Sequence, residues 1–364
     1  KVIFLFKIVT ILVLLVCSYY VGAQSDSTQR PPRNWDIIPM ISSSPEVGLL
    51  LGAKPVFSFK TNSSDSLLRL SFLSTELFGT LERQFGVSGK GAFFFFQNNY
   101  EIEAALNAML NQWRYYGIGN EIDLEQFDTY RFRALSTDVV LLRKIVADVY
   151  FGLGHRYQQH LPNPEDNEML VTDCPVGFNG FTASGVVAVL RWDSRDNILN
   201  AYQGSYLNLR AEQHRTDIGS SYPFEVFAAD FRHYVSLSDK PYHVLAFQAL
   251  HQATFGQVPF AELSMLGGSM INRGYFTGGY RDRHIMSVQA EYREMFSKNF
   301  GFVAFASAGN VMADYHELQP EETKVAAGIG LRFAVLPQNR INLRLDFAWG
   351  QGSQGFYFGI SEAF

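Results

Sequence analysis

Several short segments of the chain alternate large apolar residues with polar ones, with a period of two. Residues 342–349 read NLRLDFAW, residues 206–214 read YLNLRAEQH and residues 329–335 read IGLRFAV. A period of two places one set of side chains on each face of a β-strand. The polar faces repeatedly combine Arg with Asp or Glu, which a water-filled or plugged lumen tolerates, while lipid requires the other face to be apolar. The pattern predicts an all-β fold, a transmembrane antiparallel β-barrel.

The composition agrees with a barrel and argues against other classes. Hydrophobic residues make up 47% of the chain and aromatic residues 15%, whereas charged residues make up only 18%. After the first two dozen residues, no uninterrupted apolar stretch is long enough to cross a bilayer as a helix. The net charge of −5 argues against a nucleic acid partner. A large secreted sandwich is the soluble alternative, and the charged polar faces favour the barrel over it.

The first 23 residues read as a secretory signal peptide. Lys1 and Lys7 precede an apolar run at residues 8–16, and Val21-Gly22-Ala23 resembles a cleavage site. Residues 24–34 are then expected to form a short periplasmic tail before a barrel at residues 35–364. Cys174 would be the one cysteine of the mature chain, which excludes an intrachain disulfide there and leaves its role open.

Strand-like segments predict the size of the barrel. Ten stand before the glycine- and arginine-rich stretch at residues 263–284, called the central loop below, and five stand after it. A weaker segment at residues 35–42 is interrupted by Pro39, which fits an edge strand or a strand start. Single-chain bacterial barrels usually have an even number of strands and periplasmic termini. We therefore predict about 16 strands, with the central loop on the extracellular side and the final strand at residues 355–364.

Five stretches, in a fixed order, together resemble one family. They are YYGIGN at residues 115–120, RWDSRDNILNAYQG at 191–204, LGGSMINRGYFTGG at 266–279, QAEYR at 289–293, and the phenylalanine-rich end of the sequence. The set is similar to the BamA/TamA-type outer-membrane assembly barrels, the bacterial surface antigen family, and covers most of residues 46–364. The resemblance implies that the central loop folds into the lumen. The residues that match the family's motifs are Arg273, Gly274 and Tyr275 at the loop tip; Asp193, Arg195, Asp196 and Gly204 in the turn; and Phe356, Phe358, Ile360 and Phe364 as a terminal assembly signal.

The resemblance also implies a lock on the loop, in which Arg273 pairs with Glu291. Glu291 instead pairing with Arg293, two residues along the same face, is the competing interpretation. The next strand departs from the family, because Ser307 stands where an aspartate is usual. A second acidic anchor is therefore expected to be missing, and the lock to be weaker or differently satisfied. Only a short tail precedes the first strand, so we expect a short member lacking the POTRA modules that capture clients.

Function is predicted from this resemblance. In the family, the first and last strands meet at a seam that opens toward lipid, which implies a role in inserting or assembling outer-membrane proteins. A docking or structural barrel that binds periplasmic or surface partners is the alternative. No G-x-S-x-G or H-E-x-x-H motif occurs, so we expect no enzyme activity, cofactor or metal. The expected location is the outer membrane of a Gram-negative bacterium, with lipids, unfolded outer-membrane proteins and assembly subunits as candidate partners. Client identity, seam opening and oligomeric state stay open.

Overall fold

The structure is a computed structural model that describes residues 35–62, 68–163, 168–240 and 242–364. The signal peptide at residues 1–23 and the tail at 24–34 lie outside the described residues. Within the described residues, no helix is both long enough and apolar enough to span a membrane.

Sixteen antiparallel strands close into a barrel, so the predicted fold class and strand number are confirmed. Eleven precede the central loop: β1 Trp35–Ser44, β2 Gly48–Phe59, β3 Ser71–Thr80, β4 Phe85–Phe95, β5 Tyr100–Tyr115, β6 Asp128–Val146, β7 Val149–Pro162, β8 Phe181–Asp193, β9 Gly204–His214, β10 Phe224–Ser236 and β11 His243–Gly256. Five follow it: β14 His284–Met295, β15 Phe300–Met312, β16 Lys324–Leu336, β17 Ile341–Gly350 and β18 Ser353–Ile360.

The central loop itself carries two short strands, β12 Ser264–Leu266 and β13 Tyr280–Asp282, which pair with each other, and Arg281 of β13 also forms an isolated antiparallel bridge with Gly119. Its side chains pack inside the barrel, where Leu266, Tyr275 and Tyr280 form one apolar cluster with Ile285 of β14. The loop therefore fills part of the lumen, as the family resemblance implied. A short helix, α1 Glu168–Asp173, lies in the loop that joins β7 to β8.

The two faces of the wall differ as the period of two predicts. On β17, Asn342, Arg344, Asp346 and Ala348 are buried. On β16, the outward-facing Ile329 and Leu331 are 60% and 59% exposed. Apolar side chains on the outer face suit lipid, and charged side chains on the inner face are covered by the central loop.

Strand β18 ends earlier than the sequence pattern indicates. The expectation that the last strand continues to Phe364 is wrong, because β18 stops at Ile360 and Ser361 adopts a positive φ of 70°. Glu362 and Phe364 are then buried. A left-handed residue breaks the extended backbone, so the chain turns away from the wall at this point.

Candidate functional site

The tip of the central loop places Arg273 in a fully enclosed setting. Its Nη1 donates to Oδ2 of Asp346 at 2.5 Å, and its Nη2 donates to Glu291. The guanidinium also lies over the Phe305 ring, with Cζ 3.5 Å from the ring centroid. The side chains of Arg273, Glu291 and Asp346 have no solvent-exposed area. One arginine thus ties the loop to β14, β15 and β17.

Further ion pairs extend from these carboxylates. Nε of Arg293 donates to the second oxygen of Glu291 at 2.7 Å, so Glu291 pairs with both arginines that the sequence offered as alternatives. Nη1 of Arg332 donates to Oδ1 of Asp346 at 2.6 Å, and Nε of Arg332 donates to Oε2 of Glu362 at 2.8 Å. The residues joined in this way, called the lumen charge cluster below, are Arg273, Glu291, Arg293, Arg332, Asp346 and Glu362.

Mutual compensation is what lets the lumen charge cluster stay buried. Taking an isolated ion out of water costs several kcal/mol, and close pairing with hydrogen bonds offsets that cost. Each carboxylate here accepts from two arginines or from one arginine and further donors. Glu362, for example, also accepts from the Tyr242 hydroxyl at 2.5 Å and from Nδ2 of Asn342 at 2.8 Å. Removing any one member takes an ion pair from each of its buried partners.

Gly274 and Tyr275 hold the loop tip against β17 and β18. The N–H of Gly274 donates to the Tyr357 hydroxyl at 2.9 Å, and Gly274 has a φ of +113° that disfavours any other residue. The Tyr275 hydroxyl donates to the carbonyl oxygen of Val325 at 2.8 Å and accepts from the N–H of Gln351 at 2.8 Å. The Tyr275 ring lies so close to Gly350 that a Cβ there would come within 2.6 Å of it.

A second group of ion pairs holds the residue that precedes the central loop, Glu262. Nη1 of Arg156 on β7 donates to Glu262, just before the central loop, at 2.8 Å and to Glu212 on β9 at 3.0 Å. Sequence reasoning did not identify this pair, because its partners are 106 residues apart. It also did not identify Arg332, Asp346 and Glu362. Arg332 and Asp346 do lie on the polar faces of alternating segments, and that pattern is the signal that marks them.

Ser307 occupies the position of the absent family aspartate. It is buried, and its Oγ has no hydrogen-bond partner among the described residues. It lies on the inner face between Phe305, under Arg273, and Gly309, where a Cβ would approach Asn272 within 3.0 Å. The expectation that the loop lacks a second acidic anchor is wrong, because Asp346 supplies one from β17.

The turn at residues 194–203, between β8 and β9, contacts the turn between β16 and β17 across one mouth of the barrel. Asp196 accepts from the N–H groups of Tyr202 at 2.9 Å and Gln203 at 3.3 Å, and from Nη1 of Arg340 at 2.6 Å. Burial alone raises the pKa of Asp196, but these hydrogen bonds outweigh burial and hold the pKa below its ordinary value of 3.8. Arg195 pairs with Asp193 at 2.8 Å. Gly204 has a φ of +104°, with Ser194 in close contact.

The residues of the predicted terminal signal separate into two groups. Phe356 and Ile360 are 40% and 42% exposed on the outer face of β18, and Phe358 is buried. Phe364 instead lies inside the barrel against Ala201 and Tyr234. Its backbone oxygen accepts from Arg293 at 2.9 Å. The structure therefore places Phe364 beside the lumen charge cluster and away from the other three. Among the described residues, no group of His, Cys, Asp and Glu is arranged to hold a metal ion.

Comparisons with known proteins identify the family of this chain and proteins of similar fold. The family described as "Omp85 superfamily domain" matches residues 51–364. BamA from Haemophilus ducreyi lacking POTRA domains 1–3 superposes with a TM-score of 0.61 at 15% identity, covering 90% of this chain and 70% of that one. CdiB from Acinetobacter baumannii gives 0.56 at 13%, covering 90% and 60%, and CdiB from Escherichia coli gives 0.55 at 10%, covering 92% and 63%. At these identities the likeness concerns the fold alone. No curated protein matches the chain.

Proposed function

Because the chain belongs to the Omp85 superfamily, we propose that it assists the insertion or assembly of outer-membrane proteins through the seam between β1 and β18. The fold is characteristic of Gram-negative outer-membrane proteins, and we propose that this chain acts in such a membrane after export by a signal peptide. The proposed activity is non-enzymatic, and its proposed partners are outer-membrane lipids and unfolded outer-membrane proteins or other assembly subunits.

The observation that carries the proposal is the short overlap between the two seam strands. They pair at a single position, Ser43 opposite Phe358, whereas β1 and β2 pair along the whole length of β1, from Trp35 to Ser44. In this register residue 41 lies opposite Ile360, the last residue of β18, so residues 35–40 of β1 extend past the end of β18. Unpaired N–H and C=O groups on such an edge can template an incoming strand.

An apolar cleft of about 400 Å³ lies where β18 has ended. Consecutive residues 38–42 of β1 line it, so it meets both faces of the strand. Ile341, Leu343 and Ile360 line the opposite side. An apolar opening beside a free strand edge supports the entry of a strand with alternating apolar side chains.

The lumen charge cluster makes the two sides of the seam unequal. Its members lie on β14, β16, β17, the central loop and the segment after β18; among the described residues, β1 contributes none. The Tyr357 hydroxyl, which accepts from Gly274, holds β18 to the same loop. Opening therefore moves β1 away from a fixed β18. Because the lumen charge cluster ties the central loop to several strands, it also favours the second candidate, a docking barrel whose seam stays closed.

A disulfide across the seam separates the two candidates. Ser43→Cys and Phe358→Cys are made in a Cys174→Ser background, because paired antiparallel positions lie within disulfide range. The matched control locks β4 to β5 with Val87→Cys and Ala108→Cys, which are also paired. Folding of a second outer-membrane barrel into liposomes is measured oxidised and reduced.

We expect the seam disulfide to abolish acceleration above empty vesicles, reduction to restore it, and the β4–β5 disulfide to leave it intact. Acceleration that persists with a locked seam would contradict lateral opening. Absence of acceleration in both states, with the barrel intact, would favour the docking barrel.

A further inference from the structure

A cavity of about 680 Å³ lies beside the seam, between the first strands and the central loop. Its lining includes Ser42 and Ser44 of β1, Thr277 of the central loop and Arg344 of β17. The proposed insertion activity gives this cavity no role. Its chemistry is set by the charged side chains that face it.

Arg344 is the buried charge in this lining. It is only 5% exposed, and its Nε and Nη1 atoms have no hydrogen-bond partner among the described residues. The nearest carboxylate oxygen in an ion pair with it is Oδ2 of Asp346, at 3.7 Å from Nε, which is too long for a hydrogen bond. Asp346 already accepts from Arg273 and Arg332.

Arg344 adds a fourth guanidinium to the lumen charge cluster. Arg273, Arg293 and Arg332 each donate to a carboxylate, whereas Arg344 has no hydrogen-bonded carboxylate among the described residues. A buried guanidinium without a bonded acid is costly. Arg344 lines the cavity, so an anion bound there can compensate it.

The other charged groups of the lining are Arg114, Glu46 and Glu82. Arg114 lies between the rings of Phe127 and Phe276, 4.3 Å from each centroid. Glu46 accepts from the N–H of Thr277 at 3.0 Å. Glu46 and Glu82 belong to the extracellular turns at the ends of β1 and β3, whereas Arg344 lies three residues from the periplasmic start of β17.

We propose that this cavity is a binding site for a phosphate group, held by the guanidinium of Arg344. The planar fork of arginine matches phosphate geometry, and charge-assisted hydrogen bonds are the stronger kind. Ser42 and Ile360 line both this cavity and the apolar cleft at the seam, so the headgroup of an anionic phospholipid has a path from the bilayer. Free phosphate has the same chemistry and reaches the site from water.

Two variants test the site, so that the result does not depend on whether a single variant folds correctly. Arg344→Gln removes the charge. Gly359→Asp keeps Arg344 but supplies an internal acid, because a Cβ at Gly359 meets Nη2 of Arg344 at 3.7 Å and no other atom within 4 Å. Arg215→Gln, in an exposed pair with Asp217, is the control that loses one positive charge elsewhere.

The purified barrel in uncharged detergent is titrated with inorganic phosphate by calorimetry and with phosphatidylglycerol or phosphatidylcholine by native mass spectrometry. We expect phosphatidylglycerol to bind the wild type and the control, and both site variants to bind at least about tenfold more weakly. Competition by inorganic phosphate would show that the phosphate group alone is recognised, and binding of free phosphate without phosphatidylglycerol would identify a soluble ligand. Equal binding by wild type and both site variants, or no binding of either phosphate probe to the wild type, overturns the proposal.

Discussion

Arg273 of the central loop and Asp346 of β17 are joined at 2.5 Å, across 73 residues of sequence. This contact replaces the family aspartate that Ser307 lacks, and it moves the second acidic anchor of the loop from β15 to β17. The loop is therefore tied to the strand next to β18, beside the seam. The anchor of the loop thus lies one strand away from the seam between β1 and β18.

Asp346→Asn removes the carboxylate that two arginines share. We expect the variant to unfold more readily by about 3 kcal/mol, the lower end for a broken buried ion pair, because Arg273 and Arg332 each lose one of two buried carboxylate partners and keep Glu291 and Glu362 respectively. The midpoint of urea unfolding in detergent measures this. Asp217→Asn, which breaks an exposed pair in the loop between β9 and β10, is the matched control and should leave the midpoint unchanged. A small effect of Asp346→Asn, similar to that of the control, would show that the contact is not a lock.

Ser307→Asp should recover part of the stability lost in Asp346→Asn. Ser307 lies on the inner face beside Phe305, on which Arg273 stacks, and an acid there restores a compensating charge. Ser307→Asn in the same background has nearly the same size without the charge and should recover none. Equal midpoints for the two double variants would mean that position 307 is out of reach of Arg273.

Gly274→Ala should destabilise the loop tip through backbone strain and through a steric clash, and Gly119→Ala is a control that has the backbone strain alone. The φ of +113° disfavours alanine, and its Cβ would lie 3.1 Å from the backbone of Trp349 and Gly350. Gly119→Ala has a φ of +128° but no atom within 4 Å of the added Cβ. We expect about 1–3 kcal/mol for the backbone strain alone and a larger loss at Gly274, measured by urea unfolding. Equal losses would show that the tip yields to the added methyl group.

The turn at residues 194–203 should loosen at acidic pH. The pKa of Asp196 in the folded protein lies below the ordinary 3.8. Its stabilising effect is therefore complete above that value and is lost as the pH falls through the folded pKa. Amide exchange at Tyr202 and Gln203, corrected for the intrinsic pH dependence, should lose protection by less than about tenfold, because the pair is partly solvated. In Asp196→Asn this loss of protection at acidic pH should vanish. A loss of the same size in the variant would show that another group causes the pH dependence.

The local alternation of apolar and polar residues was enough to predict most strands of the barrel and the faces of several. Alternation set the faces of β9, β16 and β17, since a strand between lipid and a lumen has to change chemistry at every residue. Even the weak segment with Pro39 became β1. The end of β18 was misjudged, because apolar alternation continues through Ile360 and gives no sign that Ser361 takes a left-handed conformation.

The sequence by itself predicted an antiparallel barrel of about sixteen strands, and its resemblance to a known family implied an inward loop with Arg273 at its tip and Glu291 as a candidate partner. Periodicity and motif order are properties of neighbouring residues, so they can be read along the chain. Only the tertiary structure decided that Asp346 stands in for the acid missing at Ser307, that Glu362 joins the cluster, and that Arg344 is left without a bonded acid. These depend on which strands face one another across the lumen, and charge compensation is settled by distances of a few ångströms between residues far apart in sequence.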